Sequence, residues 1–353
     1  MTTLTAPTPL PVTTRPIAFA RPLTARERQI IEDITRREFI IGGTTLAALI
    51  AAAGCGDDDN GASGDASATR PVDTPWGTVE IPVSPKRIVA TDFPTAQSLL
   101  LMGAPVVGFG GSEALLDIPV LDQYVDADII ASLQFVGSAR ELNLELLATL
   151  EPDVIIGQSD FLEEQREPLQ EIAPVAVYPA TFADGTEDWT QYHRTVGEIL
   201  GLENEMQEVL DTYDATIRQL RADLGDRTDA RVRIAILYTD YAAIYSATSH
   251  TGNVLDDLGL EVTLPEELES APVQINHEIS LENIELLDEE HLVVLTSVAD
   301  ADTELAPYRD TALWSGLTAV ENDRVLIAEP ATWFGGGIGA FQILADVRTL
   351  LER

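Results

Sequence analysis

The sequence predicts an α/β protein made of two Rossmann-like lobes bridged by a single long α-helix. Three observations carry that prediction. Short apolar runs, Gly or Pro turns and helix-length amphipathic stretches alternate along most of the chain, the pattern of parallel sheets covered on both faces by helices. The alternation breaks once, between Thr186 and Leu224, where helical sequence runs almost without interruption. It then resumes and ends in a closing helix.

The elements follow in order. "R-I-V-A-T-D-F" (Arg87 to Phe93) reads as a buried strand, and "P-T-A-Q-S-L-L-L-M-G" as a helix closing at Gly103. "P-V-V-G-F-G-G" is the next strand, "N-L-E-L-L-A-T-L-E-P" a short helix stopped by Pro152, and "D-V-I-I-G-Q-S-D" a strand. "R-E-P-L-Q-E-I-A" and "P-V-A-V-Y-P" add a helix and a strand. In the helical stretch, Met206, Val209, Leu210, Tyr213, Ile217 and Leu220 keep a three-to-four spacing, the apolar stripe of a helix that packs on one face. At 1.5 Å per residue that helix exceeds ~30 Å, the height of a domain. The second lobe reads through "R-V-R-I-A-I-L-Y", "N-V-L-D-D-L-G-L", "L-E-N-I-E-L-L", "H-L-V-V-L-T-S", "R-V-L-I-A-E-P" and "G-A-F-Q-I-L-A-D-V-R-T-L-L". A helical crossing resists bending, because every interior residue is tied to its neighbour four back, so the lobes should move by a few degrees on binding rather than tens.

The first 54 residues stand apart. Arg36-Arg37 precede an apolar run from Ile40 to Ala53 and the chain's one cysteine, Cys55. The run is about 14 residues, short of the roughly 18 to 20 a membrane span needs. A positive region, a short apolar region and small residues before a cut form an export signal, and the Arg pair resembles the twin-arginine type. Ala52-Ala53-Gly54-Cys55 resembles a lipobox, in which acylated Cys55 becomes the new N-terminus. Gly56 to Arg70 is rich in Gly, Asp, Ser and Ala and reads as a flexible tether. The expected organisation is therefore signal 1–54, tether 55–70, N-terminal lobe 71–185, helical segment 186–226 and C-terminal lobe 227–353.

A net charge of −38 excludes nucleic acid or an anionic lipid surface as an electrostatic partner, since both need basic patches. Lys86 is the sole lysine among 21 basic residues; a saline habitat and an arginine-favouring genome both account for that. Catalysis finds no footing. A G-x-S-x-G elbow and a phosphate-binding P-loop are both missing from the sequence, and the chain reads as a non-enzyme. His193, His250, His277 and His291 are scattered without i, i+4 pairing, so neither a metal site nor a cofactor is expected. "G-G-G-I-G-A" from Gly335 fits a dinucleotide pattern, but too little chain follows for the acidic strand such a site needs. Its glycines read instead as a place where ligand or the opposite lobe comes close.

A ligand cleft belongs between the lobes, where strands end. On the N-terminal side that selects Phe93 in "D-F-P-T", Phe109 in "F-G-G-S" and Arg140 in "G-S-A-R-E". On the other side it selects Tyr238 and Tyr241 in "Y-T-D-Y-A-A-I-Y" and Trp333 in "E-P-A-T-W-F-G-G-G", whereas Tyr245 reads as a core residue. Aromatics there can grip a flat or greasy ligand and donate hydrogen bonds.

From Gly77 to Arg353 the motif order is specific: "G-T-V-E-I-P-V-S-P-K-R-I-V-A", "L-M-G-A-P-V-V-G", "N-L-E-L-L-A-T-L-E-P-D-V-I-I", "Y-S-A-T-S-H-T-G-N-V-L-D-D-L-G-L" and "W-S-G-L-T-A-V-E-N-D-R-V". This resembles the periplasmic-type binding proteins of ferric siderophore and cobalamin transport, over residues 71–353. The resemblance implies a monomeric, lipid-anchored receptor outside the cell membrane that hands a ferric siderophore to an ABC permease dimer with its ATPase subunits. It places Tyr238 and Trp333 at pocket positions, and it gives Glu145 and Glu282, one per lobe, the task of meeting permease arginines. Helix chemistry alone also favours an acid in a first turn. The family usually supplies pocket arginines, and "A-I-L-Y-T-D-Y" has none, which points to a neutral or cationic hydroxamate complex. A cobalamin or heme receptor is the alternative within the family; an exported adhesion or sensor lipoprotein is the alternative outside it.

Overall fold

The computed structural model describes residues 68–117, 121–179, 188–238, 241–269, 276–295, 301–309, 311–328 and 335–353. The twin-arginine signal, Cys55 and Trp333 lie outside the described residues.

The described chain opens with an antiparallel hairpin, β1 (Thr69–Thr74) and β2 (Gly77–Pro82). Gly77 makes its turn at φ +104°, a conformation that favours glycine. Thr69 and Arg70, assigned to the tether from sequence, are thus already in a strand. A five-stranded sheet follows in the order β5-β4-β3-β8-β9. It comprises β3 (Ile88–Ala90), β4 (Val106–Phe109), β5 (Gln134–Phe135), β8 (Val154–Gln158) and β9 (Val175–Tyr178), and all its pairings are parallel. β3, β8 and β9 are buried at every position, as apolar runs covered on two faces must be. Helices α1 (Phe93–Leu101), α2 (Leu144–Thr149) and α3 (Arg166–Ile172) connect the strands. A two-residue ladder, β6 (Gly137–Ser138) with β7 (Glu141–Leu142), closes a turn around Arg140.

Helix α4 (Trp189–Leu200) ends at Gly201, left-handed at φ +71°, and α5 (Glu203–Leu224) follows after one residue. The spaced apolar residues of α5 are the buried ones. The helix has 22 residues and a length of ~33 Å.

The C-terminal sheet corrects the expectation of an all-parallel lobe. Its order is β13-β11-β10-β14-β15, with β12 (Glu261–Val262) beside the start of β10. β10 (Arg231–Leu237), β14 (His291–Leu295) and β15 (Val325–Ala328) run parallel, but β11 (Tyr241–Tyr245) and β13 (Asn276–Ser280) run antiparallel to their neighbours. The physical reason is the short link after β10. It holds Tyr238 and the two residues before Tyr241, room for a hairpin but not for the helical crossover that parallel pairing needs. "L-E-N-I-E-L-L", expected as an α-helix, forms a 3-10 helix (Leu281–Leu287). Helices α6 (His250–Leu258), α7 (Ala301–Arg309) and α8 (Gly337–Leu351) are the longer helices of this lobe among the described residues.

The last helix belongs to both lobes. It packs against α6 and α5, and also against α1 and α4. The Phe341 ring stacks on Tyr124 at 5.0 Å and meets Tyr213 edge-on at 5.9 Å, with Trp189 at 6.4 Å. One apolar core runs through both sheets and these helices.

The candidate ligand cleft

On the N-terminal side the rim is built from backbone. Asp92, 2% exposed, caps α1: one carboxylate oxygen accepts from the Thr95 amide (3.0 Å) and hydroxyl (2.7 Å). The other accepts from the Gln158 amide at 2.9 Å, tying the end of β8 to the start of α1. The Thr95 hydroxyl meets the Tyr178 hydroxyl at 2.6 Å. Burial raises the Asp92 pKa, opposed by the Thr95 and Gln158 hydrogen bonds, and burial followed by the Asp92 charge pushes Tyr178 well above its ordinary value. Gly157 and Gly111 let the strand ends close up. A Cβ at Gly157 would lie 1.7 Å from Thr91 Oγ1, and one at Gly111 2.8 Å from the Phe93 amide nitrogen.

The predicted N-terminal residues separate within this frame. Phe93 is the first residue of α1 and is 3% exposed. Phe109 is fully buried against Phe135, with ring centroids 5.5 Å apart. β4 thus ends inside the core, and Gly110 after it donates to the Ala90 carbonyl at 2.7 Å. Arg140 is exposed, its guanidinium 4.8 Å above the ring of Phe161 in the short helix after β8. A cation on an aromatic face gains ~0.5–1 kcal/mol at such a site and is held in one orientation.

On the C-terminal side the rim is aromatic. Tyr238 follows β10 and Tyr241 opens β11; their rings stack at 4.4 Å and 21°. The Tyr238 amide donates to the Tyr241 carbonyl at 2.9 Å, and the Tyr308 hydroxyl donates to both their carbonyls. Tyr241 keeps 36% of its surface exposed, while Tyr245 lies at the far end of β11 in the core. Helix α6 begins at His250, capped by Ser249, whose hydroxyl accepts from the Gly252 amide at 3.1 Å. His250 is 5% exposed with no hydrogen-bond partner at either ring nitrogen, and burial lowers its pKa to about 4.

The two rims meet at Gly335. A side chain there would begin 3.6 Å from His250 Cγ of one lobe and 3.8 Å from Pro94 Cγ of the other. Gln97 of α1 reaches across at the same level, donating from Nε2 to the Gly335 carbonyl (2.5 Å) and accepting from the Gly339 amide (2.8 Å). The sequence marked the glycines as a point of close approach, but nothing local to "T-A-Q-S-L" singled out Gln97. Glu145, in the first turn of α2, and Glu282, in the first turn of the 3-10 helix, are exposed away from this cleft floor, one on each sheet's connections. Among the described residues no cluster of three or more His, Cys, Asp or Glu could hold a metal ion, and no helix is long and apolar enough to cross a membrane.

Residues 88–332 match the periplasmic binding protein family. The chain is a periplasmic binding protein. As such its task is to carry a ligand rather than transform it. This binding protein is 27% identical to a probable siderophore-binding lipoprotein, YfiY, of Bacillus subtilis, over 85% of its own length and 94% of the relative's. It is 24% identical to the Fe(3+)-citrate-binding protein YfmC of the same organism, over 82% and 88%. In structure it resembles SirA of Staphylococcus aureus, solved with staphyloferrin B, with a TM-score of 0.62 at 23% identity, covering 80% of this binding protein and 98% of that chain.

Proposed function

We propose that this binding protein is a monomeric, lipid-anchored receptor on the outer face of the cell membrane, which captures a ferric siderophore and delivers it to an ABC permease dimer powered by ATPase subunits. The observation that carries this reading is the pairing of rims across Gly335. The C-terminal lobe contributes a stacked Tyr238–Tyr241 platform and the N-terminal lobe an exposed cation, Arg140, seated over Phe161. A broad, partly apolar metal chelate fits between such surfaces, with Phe93 behind them and Trp333 as a further aromatic contact. The names of its relatives support iron–chelate ligands as the class. Within that class we favour a neutral or cationic ferric hydroxamate, because one rim arginine neutralises little anionic charge and a net charge of −38 attracts cations. Acylation at Cys55 anchors the mature chain, and exposed Glu145 and Glu282 set its register on the permease, as rim charges do.

Fluorescence titration against a ferric trihydroxamate, ferric citrate, a ferric catecholate, cobalamin and heme tests the ligand. The hydroxamate should bind at least ten-fold more tightly than the others; preference for the catecholate or citrate would overturn the hydroxamate assignment, and preference for cobalamin or heme the siderophore reading. Cell fractionation of Cys55→Ala tests the anchor: the variant should leave the membrane fraction with ligand binding unchanged, and membrane retention would refute acylation.

A further inference from the structure

The first turn of α8 lacks a side-chain cap of its own, because its N-cap residue is Gly336. A helix start leaves backbone amides without partners, and a capping oxygen normally comes from the N-cap side chain to the amide two or three residues on. Here the oxygen comes from the other lobe. Gln97 Oε1 accepts from the amide of Gly339, the third residue after the cap, at 2.8 Å, and Gln97 Nε2 donates to the Gly335 carbonyl. Gln97 is fully buried, and 242 residues separate it from Gly339. Room for it exists only because of the glycines: a Cβ at Gly336 would lie 2.7 Å from Gln97 Cδ, and one at Gly337 2.5 Å from Leu101 of α1. Gly335 and Gly336 also sit at φ +76° and +92°, where other residues are strained.

We propose that Gln97 is a positioning residue for ligand capture: by capping α8 from the opposite lobe it fixes how the two rims stand to each other before ligand arrives. The neighbouring contact of α1 with α8, Leu101 against Gly337, is apolar, and apolar contacts tolerate sliding. A two-ended amide bridge does not, since a shift of one ångström breaks both hydrogen bonds in a buried place where unmet groups are costly. The bridge therefore holds the Pro94 and His250 sides of the cleft floor in one register. This rests on the cleft being the ligand site, as proposed above.

Hydrogen exchange of the full chain without ligand tests the bridge itself. Gln97→Met keeps the shape and removes both hydrogen bonds. It should speed exchange in peptides covering the start of α8 by ten-fold or more while leaving β3 and β10 unchanged. Titration of the Gln97→Met variant with the ferric trihydroxamate should then show a five- to ten-fold loss of affinity, mostly in the dissociation rate. Unchanged exchange at α8, or acceleration spread over both sheets, would overturn the proposal, the latter by making Gln97 a general stability residue. If the wild-type chain fails to bind the trihydroxamate, the ligand assignment falls, while the exchange result stands and still decides the bridge.

Discussion

The two lobes reach the same cleft by different routes. In the N-terminal lobe every pairing of the five-stranded sheet is parallel, so strand ends pass into helices or tight glycine turns, and the rim is made of helix starts, amides and small residues. In the C-terminal lobe the short link after β10 turns the chain straight back into β11 and sets Tyr238 beside Tyr241. Parallel topology thus makes a rigid backbone rim, and one antiparallel reversal makes an aromatic platform. The difference teaches that connection length, rather than strand composition, decided which chemistry each side presents, because the buried runs "I-V-A" of β3 and "A-A-I" of β11 are both apolar.

The largest effect should come from disturbing the backbone rim. Gly157→Ala puts a methyl group 1.7 Å from Thr91 Oγ1 and should destabilise the protein by about 3 kcal/mol, at the upper end for overpacking. Urea unfolding measures it, and a loss below 1 kcal/mol would break the picture of a close-packed N-terminal rim. Acid should come next. Burial lowers both His193 on α4 and His250 on α6 to about 4, from an unfolded value near 6.5. The unfolded chain therefore takes up protons first, so stability is fully present above about pH 6.5 and is lost as pH falls toward 4. Each histidine should contribute about 2 kcal/mol of that loss between pH 7 and pH 4.5. His250→Phe should flatten the urea midpoint's pH dependence by its share; an unaltered slope would show that His250 takes no part.

The aromatic platform should matter less to folding and more to binding. Tyr241→Ala should weaken the ligand about ten-fold, or ~1.4 kcal/mol, whereas Phe109→Leu should stay within two-fold because Phe109 is enclosed. Equal losses from the two substitutions would erase the contrast between platform and core. The smallest effect on the isolated protein belongs to Glu145→Ala and Glu282→Ala. Both are exposed, so stability should shift by less than ~0.5 kcal/mol and affinity should hold. Iron–chelate uptake by cells should nevertheless fall, most in the double variant; a loss of binding equal to the loss of uptake at either position would place that glutamate in the cleft instead.

Much of this was legible in the sequence. Periodicity located α5 from Met206 to Leu220, the parallel strands around Val154 and Ile88, and the approach point at Gly335 to Gly337, because each signal is local. The antiparallel β11 was not legible, since an apolar pentapeptide has the same pattern whichever way its neighbour runs. The β1–β2 hairpin left only a weak local signal, the Pro75-Trp76 turn closed by Gly77. The enclosure of Phe109 was not legible either, because a strand end in sequence need not be a strand end in space; Gly110 donates to the Ala90 carbonyl at 2.7 Å and extends the ladder past it. Gln97 was invisible because its partners are 238 and 242 residues away.

The hairpin at the start of the described chain also governs how the molecule answers to a pull. Thr69, the first residue of β1, pairs with Pro82, the last of β2, so a force entering ahead of Thr69 and resisted by the body after Pro82 opens the ladder one rung at a time, as a zipper opens. Arg70 stands directly behind the first rung, its guanidinium donating to the Glu198 and Ile199 carbonyls at the end of α4. Load arriving from the N-terminal side is therefore taken by that clamp and then dissipated in the hairpin, six residue pairs long, before the two larger sheets feel it.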